Sequence, residues 1–369
     1  MKDLSAFVIV VILALWDTFP VSSASDIPFG HVVIDSGFHG DCKALGDIDG
    51  DRLLDVVVAG SRLIWYAYPR WTKTMIAVAE EEFTTDMQVG DVDGDGDLDI
   101  IVPDIRKGAP VYWFENPRPR RSPAKAPWPR HLIGEHGAHA HDVEIGDINR
   151  DGRLDVVTRK GTTWLWLQKS PDAWTKVSIP ASGSEGLALG DIDGDGDLDI
   201  TVNGSWIEAP SDPVKGKWVE HVIAKGWPDQ VGITLADINK DGRTDMLLAP
   251  AESAGRLSWY ETPKDRKAGN WTEHVICSQV DHVHTFKAVD LDNDGDLDVV
   301  FAEMAQSPTK RVGFFRNGGD GRAWTLQVVG TGGSHNLRVG DIGRDGDIDI
   351  VGANWQGPPV EMWENKLRD

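Results

Sequence analysis

Three features of the sequence predict an all-β fold, a seven-bladed β-propeller. One acidic loop recurs seven times, a β-branched run follows each copy, and no stretch beyond the first 24 residues keeps a helical period over ten residues. The loops read GDIDGDRLLDVVV from Gly46, GDVDGDGDLDIIV from Gly90, GDINRDGRLDVVT from Gly146 and GDIDGDGDLDITV from Gly190. ADINKDGRTDMLL from Ala236, VDLDNDGDLDVVF from Val289 and GDIGRDGDIDIVG from Gly340 complete the set. Their first aspartates stand 44 to 56 residues apart, a length that suits one four-stranded blade.

The elements follow in order. Residues 1–24 carry Lys2, an apolar run from Ala6 to Trp16 and small residues ending at Ala24, the pattern of a secretory signal peptide. The run is too short for a comfortable membrane span, so no membrane insertion is expected after cleavage, and residues 25–369 are read as a single propeller. A lone strand, HVVID from His31, precedes the first loop. Each unit then repeats one grammar: a short alternating run such as DVEIG from Asp142, the acidic loop, a β-branched run such as LDVVV from Leu54, an aromatic strand such as VYWFENP from Val111, and a closing strand such as WTEHVI from Trp271. The fourth unit departs, its aromatic strand shrinking to SWIEAP, and a short or irregular blade is expected there. The seventh stops at VEMWENK from Val360 without a fourth strand; HVVID would supply it and close the ring, leaving no exposed edge. Most of the 16 tryptophans fall on the aromatic strands, where packing between blades explains them. Cys42 and Cys277 fall in different units, and no disulfide is expected.

The formal charge of -22 argues against nucleic acid or an anionic membrane as partner, because phosphate binding needs clustered Lys and Arg. It points instead to bound cations. Oxygen ligands at loop positions 1, 3, 5 and 9 suit Ca2+, which takes six to eight hard oxygens. The candidates are Asp47, Asp49, Asp51 and Asp55; Asp91, Asp93, Asp95 and Asp99; Asp147, Asn149, Asp151 and Asp155; and Asp191, Asp193, Asp195 and Asp199. Asp237, Asn239, Asp241 and Asp245; Asp290, Asp292, Asp294 and Asp298; and Asp341, Asp345 and Asp349 complete them. Arg52 in the first loop and Gly343 in the seventh break the pattern, so weaker or absent metal is expected in those two. Seven Ca2+ would bring the charge to about -8, a tolerable value. The recurrent DxDGDGDLD with its β-branched run resembles the FG-GAP, or VCBS, repeat over residues 30 to 365. That resemblance implies a calcium-loop propeller like the integrin α-subunit head, and specifies function poorly.

In such propellers the strand before the loop is innermost, so six residues back lies the opposite mouth of the channel. Asp41, Thr85, His141, Glu185, Val231, His284 and His335 occupy that step, with Asp86, Asp142 and Asn336 one residue further in. His39, His139 and His282 lie two residues out, which gathers six of the 11 histidines at one funnel. The strands after the loops return to the same mouth and add Arg159, Lys160, Trp206, Glu252, Glu303 and Trp355. Each histidine alone is adequately explained as a hydrogen-bonded cap on a strand end; six together point to a site.

Two chemistries suit the mouth. Imidazoles with a carboxylate can hold Zn2+ or Mn2+. Alternatively His141, His284 or His335 abstracts a proton beside a carbonyl while Arg159 or Lys160 neutralises the oxyanion, with His39, Asp86, His139, Asp142, Glu185, Trp206, His282, Asn336, Glu303 and Trp355 binding substrate. The stretches Ser334–Trp355 and His282–Met304 also resemble the propeller domain of aldos-2-ulose dehydratase and related secreted carbohydrate lyases. This implies β-elimination from a sugar or keto-sugar, carried over to His284, His335 and Asn336 and more weakly to His139 and His141. Alternatives are a lectin-like glycan binder, an adhesion propeller, or a glycosidase pairing Asp86 with Glu185.

Overall fold

The computed structural model describes residues 26–357 and 359–368, so the expected leader lies outside the described residues. Seven four-stranded antiparallel sheets form, with no helix among the described residues. Six sheets are each continuous in sequence. The seventh joins Arg338–Gly340, Asp349–Ala353 and Val360–Asn365 to Phe29–Asp35, pairing His31 with Trp363 in register. The first and last described strands therefore lie in one blade.

Burial explains the strand sequences. Second strands such as Asp55–Ala59, Asp99–Pro103 and Asp298–Ala302 are buried along their whole length, which is why they read as unbroken apolar runs. Closing strands such as Ala173–Ile179 are mostly exposed or half-buried and carry polar residues. The glycine opening each regular loop is required by a neighbour's approach: a Cβ on Gly90 would lie 2.7 Å from Leu154 Cδ1, and one on Gly146 equally close to Leu198 Cδ1. One blade's glycine thus seats a leucine of the next. The fourth blade is short, with Ser205–Glu208 and Val219–Val222 as its outer strands, but complete. Cys42 and Cys277 are buried in separate blades and form no disulfide.

Candidate functional site at the channel mouth

The first strand of each blade starts at the mouth and the second returns to it: Asp142 pairs with Arg159, and Thr285 with Ala302. Residues just before the first strands therefore converge from different blades. His141, His284 and His335 form a contiguous layer, with ring centroids 4.8 Å and then 4.2 Å apart. The two outer rings are tethered by carboxylates. His141 Nδ1 lies 3.2 Å from Asp142 Oδ1, and His335 Nδ1 is hydrogen-bonded to Asp41 Oδ1. His284 differs: it is 8% exposed, and among the described residues neither ring nitrogen makes a well-formed hydrogen bond, although the Asn336 side chain lies close enough to favour the charged ring. Glu185 closes one side. It is 1% exposed, takes Lys160 Nζ at 3.1 Å on Oε1, and holds an otherwise unpartnered Oε2 3.7 Å from His141 Nε2.

The electrostatics differ ring by ring. Burial lowers the His141 pKa, but the charge and hydrogen bond of Asp142, with Glu185, outweigh it and the net shift is upward. Burial together with His335 and His141 pushes His284 well below the ordinary imidazole value. Burial, then Lys160 and His141, brings His139 to about 4. For Asp41, burial raises the carboxyl, yet His335 and Lys43 hold it below its usual range.

The residues expected at the mouth divide into two groups. His139 joins the layer, its ring 5.8 Å from His141 and its Nε2 3.2 Å from Thr85 Oγ1. Asn336 accepts from Thr285 Oγ1 at 2.7 Å and donates to the Thr85 carbonyl, linking blades across the channel. Asp86 is ion-paired with Arg338. The others are engaged elsewhere. Trp206 is fully buried, stacked on His221 with centroids 4.2 Å apart, because the turn at Asn203 and Gly204 starts the third strand at once and points the indole between blades. Arg159 is fully buried and bonded to Thr163 Oγ1 and the Ser182 carbonyl, so it cannot meet an oxyanion. Glu303 is fully buried and saturated by Arg311, Thr309, Ser307 and the Asp281 amide. His282 pairs with Asp281, and His39 stacks beside Phe38. Trp355 is 38% exposed on the loop after Ala353.

A small cavity lies beside this layer in the channel, lined by His284, Asp86, Asp142 and Asn336, and by Glu144, Lys287 and Arg338. The last three were missed by the sequence reading. They sit two residues further along first strands, and the period of two would have found them. Burial raises Glu144 to about 7, partly opposed by Lys287. Lys43 was missed too. Where other blades carry Met87, Val143 or Leu187, it is fully buried and donates to the carbonyls of Gly40, Asp41 and Ala353, tying the first blade to the seventh.

At the opposite rim the acidic loops share one wiring. In the second, Asp91 accepts the amides of Asp95 at 3.1 Å and Gly96 at 3.0 Å, and oxygens of Asp91, Asp93 and Asp99 lie within 4.8 Å of one another. Asp47, Asp49 and Asp51 converge likewise, since Arg52 adopts the left-handed φ of 75° that glycine takes elsewhere. The ninth-position aspartates have a role beyond ligation. Asp99 accepts Val92 N at 2.9 Å and Asn116 N at 2.8 Å, clipping the loop to the end of the third strand, and Asp55, Asp155, Asp199, Asp245, Asp298 and Asp349 do the same. A hard carboxylate set of this kind fits Ca2+.

No curated protein sequence matches the chain. Among solved structures, an Agrocybe aegerita lectin that recognises non-reducing terminal N-acetylglucosamine is similar, with TM-score 0.55, 16% identity, and 93% of this chain and 87% of that one covered. BBS1N in complex with ARL6DN is similar in two structures, with TM-scores 0.57 and 0.59, identities of 12% and 10%, and coverage of 91% and 93% of this chain and 95% and 98% of the other. At these identities the likeness is one of fold. The FG-GAP-like repeat profile matches residues 47–102, 91–158, 237–301 and 290–352, on the acidic loops and strands described above. With more than half its length matched in this way, and seven loop-bearing blades, the chain belongs to the FG-GAP-like repeat family.

Proposed function

We propose that the protein is a secreted, calcium-stabilised, carbohydrate-active lyase or dehydratase that takes a sugar or keto-sugar at the channel mouth. The observation that carries this reading is the layer of three imidazoles, of which the outer two are held by carboxylates and the middle one, among the described residues, is held by none. His335, tethered through Nδ1 to Asp41, presents Nε2 as a base for a proton beside a carbonyl, the arrangement in which a carboxylate fixes the ring of a general base. Lys160 offsets the negative charge that develops on the oxygen. His141, its pKa raised chiefly by Asp142, carries a proton toward the departing hydroxyl. His141, Glu185 and His284 lie close enough together to hold Zn2+ or Mn2+ instead, a donor set that fits a borderline ion, and bound there it would supply Lewis-acid polarisation of the substrate carbonyl. Elimination on keto-sugars and uronates is followed by ultraviolet absorbance of unsaturated products. Turnover in the wild type, lost in His335→Ala with the fold intact by circular dichroism, is the expected result; absence of product with every substrate removes the lyase reading.

A second reading, glycan binding without catalysis, is favoured by the fold likeness to a glycan-recognising lectin. Saturable binding of a neutral sugar without turnover, weakened by substitution at His139 or Trp355, would establish it.

A further inference from the structure

The seven loops are not equivalent, and the difference lies in which carboxylate a cation occupies. In the second, fourth and sixth loops positions 1, 3, 5, 7 and 9 are all aspartate and none of the nine positions is basic. The third and fifth carry three aspartates each, with Asn149 and Asn239 at position 3, and two cations apiece: Arg150 with Arg153, and Lys240 with Arg243. Formal charge is thus -5 in the first group and -1 in the second.

The arginines are wired in the same way in both blades. Arg153 donates through Nη2 to Asp151 Oδ2 and through Nε to the Gln168 carbonyl at 3.1 Å; Arg243 donates to Asp241 Oδ2 and to the Thr262 carbonyl at 2.7 Å. Each therefore neutralises the fifth-position carboxylate and clamps it to the blade's third strand. The asparagine amides add a second donor to the same oxygen, with Asn149 Nδ2 3.0 Å from Asp151 Oδ2 and Asn239 Nδ2 3.1 Å from Asp241 Oδ2. The remaining cations reach out, Arg150 to Asp197 of the fourth loop and Lys240 to Asp296 of the sixth. Backbone shape is unchanged. Gly152 N reaches Asp147 Oδ2 at 2.8 Å, as Gly96 N reaches Asp91 Oδ2 at 3.0 Å.

We propose that Arg153 and Arg243 replace calcium in the loops 147–155 and 237–245, which close without an ion. The inference rests on the reading that the all-aspartate loops bind calcium. A guanidinium on the fifth-position carboxylate takes up a ligand that an ion would need, whereas among the described residues the cations of the all-aspartate loops sit on positions 3 and 7, Arg118 on Asp97, Lys267 on Asp193 and Arg316 on Asp292, and leave the fifth-position aspartate to an ion.

The test is calcium per chain, measured by elemental mass spectrometry after equilibrium dialysis of the full-length protein, with Asp95→Asn, Asp151→Asn and Asp241→Asn beside the wild type. Loss of one ion from Asp95→Asn and none from the other two is expected. Loss of an ion from Asp151→Asn or Asp241→Asn overturns the proposal while the calcium reading survives. No calcium in the wild type overturns both. Arg153→Met supplies a second measurement: its melting temperature should become more calcium-dependent than the wild type's, and an unchanged dependence counts against the clamp.

Discussion

The mouth holds its most consequential residue in an expensive state. Among the described residues His284 is buried with neither ring nitrogen in a well-formed hydrogen bond, and an unsatisfied buried group costs about 1–3 kcal/mol in an ion-free protein. His284→Leu should therefore leave the chelated protein at least as stable as wild type. Added zinc should raise the melting temperature of wild type and not of the variant, because only the former has a site to stabilise by mass action. Equal zinc response in both would place the ion elsewhere. Glu144 makes a prediction with a definite sign. Burial raises its folded pKa from 4.5 to about 7, so the folded state binds this proton more tightly than the unfolded chain does. Its contribution to stability is complete below pH 4.5 and is lost as pH rises through about 7. In saturating calcium, Glu144→Gln should flatten that part of the decline, read as the urea midpoint against pH; an unchanged profile would show the carboxyl to be ordinary.

At the scale of the element, the outer strands explain three of the histidines that the mouth does not use. His131, His221 and His274 each pair in register with a tryptophan of the third strand and stack on it, with centroids 4.2–4.3 Å apart: Trp113, Trp206 and Trp259. Each also meets a glutamate two residues beyond that tryptophan, Glu115, Glu208 and Glu261. This is a cross-strand unit of blade stability. His221→Ala should destabilise by about 1 kcal/mol, in the range measured for aromatic pairs, without touching ligand binding at the mouth. A binding defect in that variant would argue that the outer edge communicates with the channel. The same register explains why Trp206 failed as a sugar platform: its face is already covered by His221.

Over the whole molecule, stability depends on closing a ring and holding its acidic rim together. Deleting residues 26–35 would strip the seventh blade of its outer strand and leave Val360–Asn365 as an open edge. It should lower the urea midpoint further than any single substitution above and favour aggregation; a small effect would mean that the ring tolerates a three-stranded blade. Chelation should lower the melting temperature, and calcium should restore it in proportion to the logarithm of its free concentration.

What the sequence determined by itself was whatever repeats. Loop spacing, β-branched runs and the unpaired strand HVVID specify seven blades, because each blade imposes the same local chemistry and counting alone reveals it. The histidine layer was legible for a related reason: a fixed step back from each loop follows from strand rise, and His141, His284 and His335 share that step. What only the tertiary structure decided was orientation and company. Arg159 and Glu303 lie where the phase put them, yet they are spent on Thr163, Ser182, Arg311 and Thr309. Asp41 became the partner of His335 across the seam between the first and seventh blades, 294 positions apart in the chain. Periodicity carries position along a strand, but pairing between blades arises only when the ring closes, since contacts at such separation leave no mark on local sequence.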